Sequence, residues 1–255
     1  ELKKCRQNQF HEFNAFTHTM MALFALENIL TRFDYILQLE ENTNPNKNLI
    51  KQPELLKFSL LLHDIGKLET NTTGADGKPH FYGHAKVGAT KADTIARRLA
   101  LSNNQRNYIT LIIGNHLTPS FLFSEYQSST LNDRVIVRLF RKTKAFTPDL
   151  LLHSMADFLG KKCRDNSSIL AQPFIIFIRD LLEKYCFSFV PIQKKPSLLS
   201  GRDLIQYFDL SPSPFFKIIL EAVEEQRLTG QLISKTEALK WTKSYLKQLR
   251  GQYGS

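Results

Sequence analysis

The stretch Leu60-Leu61-Leu62-His63-Asp64-Ile65-Gly66-Lys67 decides the fold. It closes a helix that Pro53 opens, because proline is favoured in a first helical turn. Leu55, Leu56, Phe58, Leu60, Leu61 and Leu62 make that helix apolar nearly all round, which assigns it to a core. A His and an Asp side by side at its end then lie against apolar surroundings. A buried carboxylate is costly unless it is paired or binds a metal. A salt-bridged Asp beside a hydrogen-bonded His is the plainer account of such a pair, so residues elsewhere must decide.

Outward from that stretch, the spacing of apolar residues predicts helices almost everywhere. Ala15, Met20, Leu23, Leu26, Ile29 and Leu30 recur at helical intervals over residues 14–38. A polar linker with Pro45 and four asparagines fills residues 40–52. The Thr-, Gly- and Asp-rich residues 69–83 read as a loop. A helix over 84–101 follows, then one capped by Ser102 and ending at Asn115-His116, with Pro119 beyond it. Residues 131–142 form a basic amphipathic helix. Thr147-Pro148-Asp149 is a start signal for a helix to about residue 162, with Thr147 as the capping hydroxyl. Residues 167–185 read as a further apolar helix. The linker Pro191-Ile192-Gln193-Lys194-Lys195-Pro196 sets a boundary near residue 195, and three short helices follow over 204–208, 214–227 and 234–249. The expectation is an all-α protein: a helical bundle over residues 1–190 and a small helical appendage over 197–250.

Composition agrees. Eleven glycines in 255 residues is low for a turn-rich β fold. Hydrophobic residues at 42% and charged residues at 23% exclude a disordered chain, and no apolar run is long enough to span a bilayer. The three cysteines, Cys5, Cys163 and Cys186, show no CxxC spacing, which suits a reducing compartment. The expected location is the cytoplasm, with no membrane partner; Glu1 in place of a start methionine leaves open that the chain is cut from something longer. A net charge of +10 points to polyanions such as nucleotides, RNA or DNA, or merely to a soluble surface.

The seven histidines sit in different settings. His18 lies on the first helix, His84 begins the third and His116 ends the fourth; Asp157 lies on the helix that Thr147 opens. Helices meeting at one point can gather these imidazoles and carboxylates with His63 and Asp64. Mixed nitrogen and oxygen donors suit a divalent ion, whether Mn, Ni, Co, Fe or Zn, or Mg where carboxylate and water dominate.

The order His18 … His63-Asp64 … Asp157 resembles the H…HD…D signature of the HD phosphohydrolase superfamily. The flanking Gln7-Asn8-Gln9-Phe10-His11, His80-Phe81-Tyr82-Gly83-His84 with Gly88-Ala89, Leu199-Ser200-Gly201-Arg202-Asp203-Leu204 and Glu237-Ala238-Leu239-Lys240-Trp241 are similar to the HD domain and C-terminal body of bacterial tRNA nucleotidyltransferases and poly(A) polymerases. The resemblance implies that His18, His63, Asp64 and Asp157 ligate one metal, with Asp64 also orienting the attacking water. Asp64, His63 and Lys67 would then carry the chemistry. It implies that His84 and His116 extend the site toward a second metal, with hydrogen bonding or phosphate contact as the equal alternative. Lys67 reaches a phosphate oxygen or simply complements a helix end. His153, four residues before Asp157, orients it or packs in the core; His11 sits at a rim or on the surface, and His80 is solvated. Lys86, Lys91, Arg97 and Arg98 ring the site or form a solvated face.

The sequence also departs from that family. The catalytic head that precedes this region in those polymerases, with its Gly-Ser turn and paired aspartates, has no counterpart here. Ser211-Pro212-Ser213-Pro214 stands where a Pro-Gly-Pro is usual. The resemblance therefore implies a metal-dependent phosphohydrolase, a phosphatase or 2′,3′-cyclic phosphodiesterase, acting on phosphate esters, nucleotides or RNA ends. The alternatives are a non-catalytic RNA-binding body and the excised C-terminal part of a tRNA nucleotidyltransferase. For RNA, possibly tRNA, the basic run 134–164 supplies Arg134, Arg138, Arg141 and Lys142 on one helix side, then Lys144, Lys161, Lys162 and Arg164. Phe140 and Phe146 within it are expected in the core. Oligomeric state is left open.

Overall fold

The computed structural model describes residues 2, 13–32, 49–75, 77–161 and 172–253. His11, Cys5, Cys163, Lys162, Arg164 and most of the expected linker 40–52 lie outside them. The described chain is all-α apart from one two-stranded antiparallel hairpin. In order it forms α1 (Ala15–Thr31), α2 (Pro53–Leu62), α3 (Lys67–Thr70), β1 (Thr72–Thr73), β2 (Pro79–His80), α4 (His84–Arg98), α5 (Asn103–Asn115), α6 (Thr118–Gln127), α7 (Asp133–Thr143) and α8 (Thr147–Gly160). Then come α9 (Pro173–Glu183), a π-helical turn (Lys184–Phe189), α10 (Val190–Gln193), α11 (Gly201–Phe208), α12 (Pro214–Leu228) and α13 (Lys235–Tyr253). No helix among the described residues is long and apolar enough to cross a membrane.

Local chemistry accounts for most boundaries. Asn14 caps α1 by accepting from the Thr17 amide. Ser102 and Gln105 form a reciprocal capping box at α5, as do Ser200 and Asp203 at α11. The helix capped by Ser102 ends at Asn115-His116 as expected, and Thr118-Pro119 beyond it begins α6, a helix not anticipated, with proline again sitting in a first turn. Two expectations need correction. Thr147 does not cap α8: the 3-10 turn Lys144–Phe146 runs straight into it, and the Thr147 hydroxyl donates to the Lys144 carbonyl instead. Residues expected as linker are helical as far as Gln193, because Pro191 is tolerated in the first turn of α10.

The chain forms two compact units, residues 1–130 with 143–182, and residues 131–142 with 183–255. In the first, α8 is the central element: Thr147 to Asp157 are all buried. α1 packs along it, α2 lies against α1 and α5, and α4 packs on α5. Ala22, Leu26, Leu56, Leu60, Ile109, Ile112, Leu151 and Met155 fill the space between them. In the second unit Leu199, Val223, Leu232 and Ala238 form a small core with Trp241 at its edge. There Phe140 of α7 is buried edge-on against the rings of Tyr185 and Phe189.

Candidate metal centre

Five helices of the first unit bring one polar side chain or more to a single buried point. α1 supplies His18. The end of α2 supplies His63 and Asp64, and the first residue of α4 supplies His84. The residue after α5 is His116, and α8 supplies Asp157. All six are buried. Two glycines permit this convergence. A Cβ on Gly160 would stand 2.6 Å from the Ala22 nitrogen, so only glycine lets α8 approach α1 this closely. A Cβ on Gly66 would stand 2.2 Å from the His84 carbonyl oxygen, so glycine also lets the His63-Asp64 turn touch α4. Gly83 has φ of +78°, a left-handed backbone that turns the hairpin into α4 and delivers His84.

One hydrogen-bond pattern repeats three times. His63 Nδ1 lies 2.7 Å from the Leu60 carbonyl, His84 Nδ1 2.8 Å from that of Phe81, and His116 Nδ1 2.7 Å from that of Ile113. A carbonyl only accepts, so each Nδ1 carries a proton, and each ring turns its Nε2 inward, where it offers a lone pair once that nitrogen is deprotonated. The Nε2 atoms of His84 and His116 are 3.3 Å apart. His63 Nε2 is 3.3 Å from Asp64 Oδ2 and 3.4 Å from Asp157 Oδ1, buried and without an aligned hydrogen bond. His18 Nε2 is 2.9 Å from Asp157 Oδ1 and 3.7 Å from Asp64 Oδ2. His84 Nε2 is 3.5 Å from Asp64 Oδ1.

Ligating atoms of His18, His63 and Asp64 lie within 4.8 Å of one another, and so do those of Asp64, His84 and His116. Asp64 belongs to both groups, offering one oxygen to each side. The donors fit a divalent ion: imidazole nitrogens held in the ligating tautomer, with two carboxylates to balance its charge.

The electrostatics say the same. Burial pushes the His63 imidazole down, but the carboxylates of Asp64 and Asp157 outweigh it and hold it up to about 10. Burial pushes both carboxyls up, yet His63 and Lys67 beside Asp64, and Lys161 and His18 beside Asp157, hold them well below the usual range. His116 is pushed down to about 3 by burial and by the positive charge at His63, and His84 is lowered by burial first. The carboxylates thus create a potential that holds positive charge at the point His63 Nε2 faces.

Most other expected residues take definite places. Lys67 Nζ donates to Asp64 Oδ2 at 2.7 Å, with the Phe81 ring 5.6 Å away. His153 packs edge-on to His63, ring centroids 5.5 Å apart, and among the described residues its ring nitrogens have no hydrogen-bond partner. Lys91 pairs with Glu69, and Arg97 with Asp93. Arg134 and Arg138 both reach Glu225, the latter through two nitrogens at 3.2 and 3.3 Å. Arg141 is half-buried and Lys142 exposed. Lys161 was read only as one cation of a basic run; its Nζ is 3.3 Å from Asp157 Oδ2. The signal was available, since Lys161 follows Asp157 by one helical turn.

Residues 15–140 match the HD domain family; Asp157 lies beyond the matched span. The A-adding tRNA nucleotidyltransferase of Deinococcus radiodurans is 24% identical over 250 residues, 96% of this chain and 50% of that protein. The Multifunctional CCA protein of Actinobacillus pleuropneumoniae is 30% identical over 127 residues, 49% of this chain and 29% of its own length. That of Aromatoleum aromaticum is 32% identical over 115 residues, 43% of this chain and 26% of its own length. The chain spans half or less of the length of these relatives. Residues 15–140 thus match the HD domain family, within an all-α chain that is similar over nearly the whole of its own length to a tRNA nucleotidyltransferase.

Proposed function

We propose that the chain is a divalent-metal-dependent phosphohydrolase acting on nucleotides or RNA ends. The observation that carries this is the thrice-repeated imidazole: His63, His84 and His116 are each fixed through Nδ1 and turn Nε2 toward the shared carboxylate Asp64. His18, His63, Asp64 and Asp157 would hold one ion, and His84 and His116 would extend the site beside Asp64, toward a second ion or by contacting the phosphate. A divalent ion held there supplies Lewis acidity, lowering the pKa of water and drawing charge from a phosphoryl oxygen. Asp64 accepts a hydrogen bond from the attacking water and orients it. Lys67 restrains Asp64 and stands within reach of a phosphate oxygen. Water adds to phosphorus, the ester P–O bond breaks, and the alcohol leaves with a proton.

Two features favour nucleotides among phosphate esters. The rings of His80 and Tyr82 stack at 5.3 Å and 7°, and Tyr82 is 79% exposed two residues before His84. A flat aromatic face beside a phosphate-handling centre suits a nucleobase. The net charge of +10 suits a polyanion, with Arg134, Arg138, Arg141 and Lys142 of α7 as the phosphate-backbone footprint.

The test is metal content of protein purified without chelator, followed by assays on p-nitrophenyl phosphate, bis(p-nitrophenyl) phosphate and 2′,3′-cyclic AMP with added Mn2+, Ni2+ or Mg2+. Metal-stimulated turnover is expected, with both metal and turnover lost in Asp64→Ala. Turnover unchanged in that variant overturns the reading. The similarity to half of a tRNA nucleotidyltransferase favours a second reading, that the chain works as the body of such an enzyme. Nucleotide addition to tRNA by the full gene product, with no metal-stimulated hydrolysis, would support it instead.

A further inference from the structure

Each carboxylate of the centre has its own lysine. Lys67 Nζ lies 2.7 Å from Asp64 Oδ2, and Lys161 Nζ lies 3.3 Å from Asp157 Oδ2. The lysines come from different elements, α3 and the residue after α8. The Lys67 side chain is 6% exposed, whereas that of Lys161 is 21% exposed and so the more open of the two to an incoming solute.

Such lysines carry a cost at a metal centre. An ammonium beside a ligating carboxylate draws charge from the ligand and repels the ion. A purely structural ion pair has no reason to be built there twice. The arrangement makes sense if the ammonium also meets an anion. Lys161 is ion-paired to Asp157, and an ammonium with three donors can also meet a phosphate.

The charge count then bears on the substrate. Two carboxylates and two ammoniums sum to zero, and an imidazole that ligates a metal is neutral. The one divalent ion that His18, His63, Asp64 and Asp157 would hold therefore leaves an excess of about two positive charges, close to the −1.5 to −2 of a phosphomonoester near neutral pH. A phosphodiester, with a single negative charge, leaves half of that excess unmatched.

Resting on the metal-dependent reading above, we propose that Lys161 recruits the terminal phosphate of the substrate. With Lys67 it makes the centre select a phosphomonoester dianion over a phosphodiester.

The test uses calorimetry on the whole chain. Mn2+ is titrated into metal-free protein, then AMP (monoester) or 2′,3′-cyclic AMP (diester) into the Mn2+-loaded protein. Lys161→Met is expected to bind Mn2+ as tightly as the native chain or more tightly, because a repelling charge is gone. It is expected to bind AMP about tenfold more weakly, cyclic AMP at most about twofold more weakly, and Lys161→Arg should restore AMP. Equal weakening of both nucleotides, or unchanged AMP affinity, overturns the proposal while the metal reading stands. Loss of Mn2+ binding in Lys161→Met also overturns it, since Lys161 would then only hold Asp157 in place. Native protein that binds no Mn2+ overturns the metal reading itself.

Discussion

Two residues outside the ligand set carry predictions of their own. Asp149 is fully buried in the first turn of α8 and accepts a 2.6 Å hydrogen bond from the Tyr108 hydroxyl. Burial outweighs that bond and pushes its carboxyl up to about 6, from an ordinary value of 3.8. A folded-state value above the unfolded one means that the protonated acid favours folding. Stability from this group is complete below the ordinary value and falls as pH rises toward about 6. Two units correspond to a loss on the order of 3 kcal/mol. Asp149→Asn keeps an acceptor for Tyr108 without the charge. Denaturant unfolding from pH 4 to 7.5 should therefore show the variant gaining on the native chain as pH rises; a difference that stays constant would refute this account. Tyr82 tests the nucleobase argument. Tyr82→Ala should weaken AMP by roughly one order of magnitude, as stacking is worth about 1–3 kcal/mol, and leave inorganic phosphate binding alone. Equal weakening of both would remove the stacking role.

The helices themselves were largely legible in the sequence. Capping signals at Asn14 and Ser102, the proline at α2 and the apolar periods fix α1, α2, α4, α5 and α12 close to their observed starts. Proline caused the misses, because it opens helices as readily as it ends them: α6 and α10 both carry it in their first turn. What the sequence could not give was the distance between elements. Nothing in the spacing of Gly66 or Gly160 tells that a methyl group there would strike backbone, because the partner residues, His84 and Ala22, are set by tertiary packing. Those contacts predict that Gly160→Ala and Gly66→Ala force apart the helix pairs that bear His18 with Asp157 and Asp64 with His84. Each should cost about 1–3 kcal/mol and weaken Mn2+ binding. Gly114→Ala is the control: its new Cβ would meet only the Ala89 side chain, at 3.7 Å, an ordinary contact. That variant should be neutral or slightly more stable, since glycine inside a helix is unfavourable by about 1 kcal/mol. Three variants with equal losses in thermal unfolding would show that the close contacts do not hold the site.

At the scale of the molecule, every candidate ligand, from His18 to Asp157, lies in the unit built from residues 1–130 and 143–182. The four cations of the expected RNA footprint lie in or at the start of α7, in the other unit. The sequence showed both sets, one by motif and the other by charge. It did not show that Arg134 and Arg138 share Glu225, a residue about ninety positions on, since an ion pair of that span follows only from the fold. That pairing changes what the basic helix can do. Arg134 and Arg138 are 52% and 66% exposed, but meeting a phosphate means competing with a carboxylate, whereas Arg141 and Lys142 have no ion pair among the described residues. RNA binding should be weak and steeply salt-dependent. Replacing Arg141 and Lys142 together by alanine should flatten the slope of log K against log salt by about two phosphate contacts. Replacing Arg134 and Arg138 should flatten it by less, because Glu225 is released at the same time. Filter binding of a tRNA-sized RNA between about 50 and 200 mM salt distinguishes the pairs. Identical slopes for both double variants would show that Glu225 exerts no restraint, and absence of binding at low salt would remove RNA from the proposed substrates while leaving the metal centre and its mononucleotides untouched.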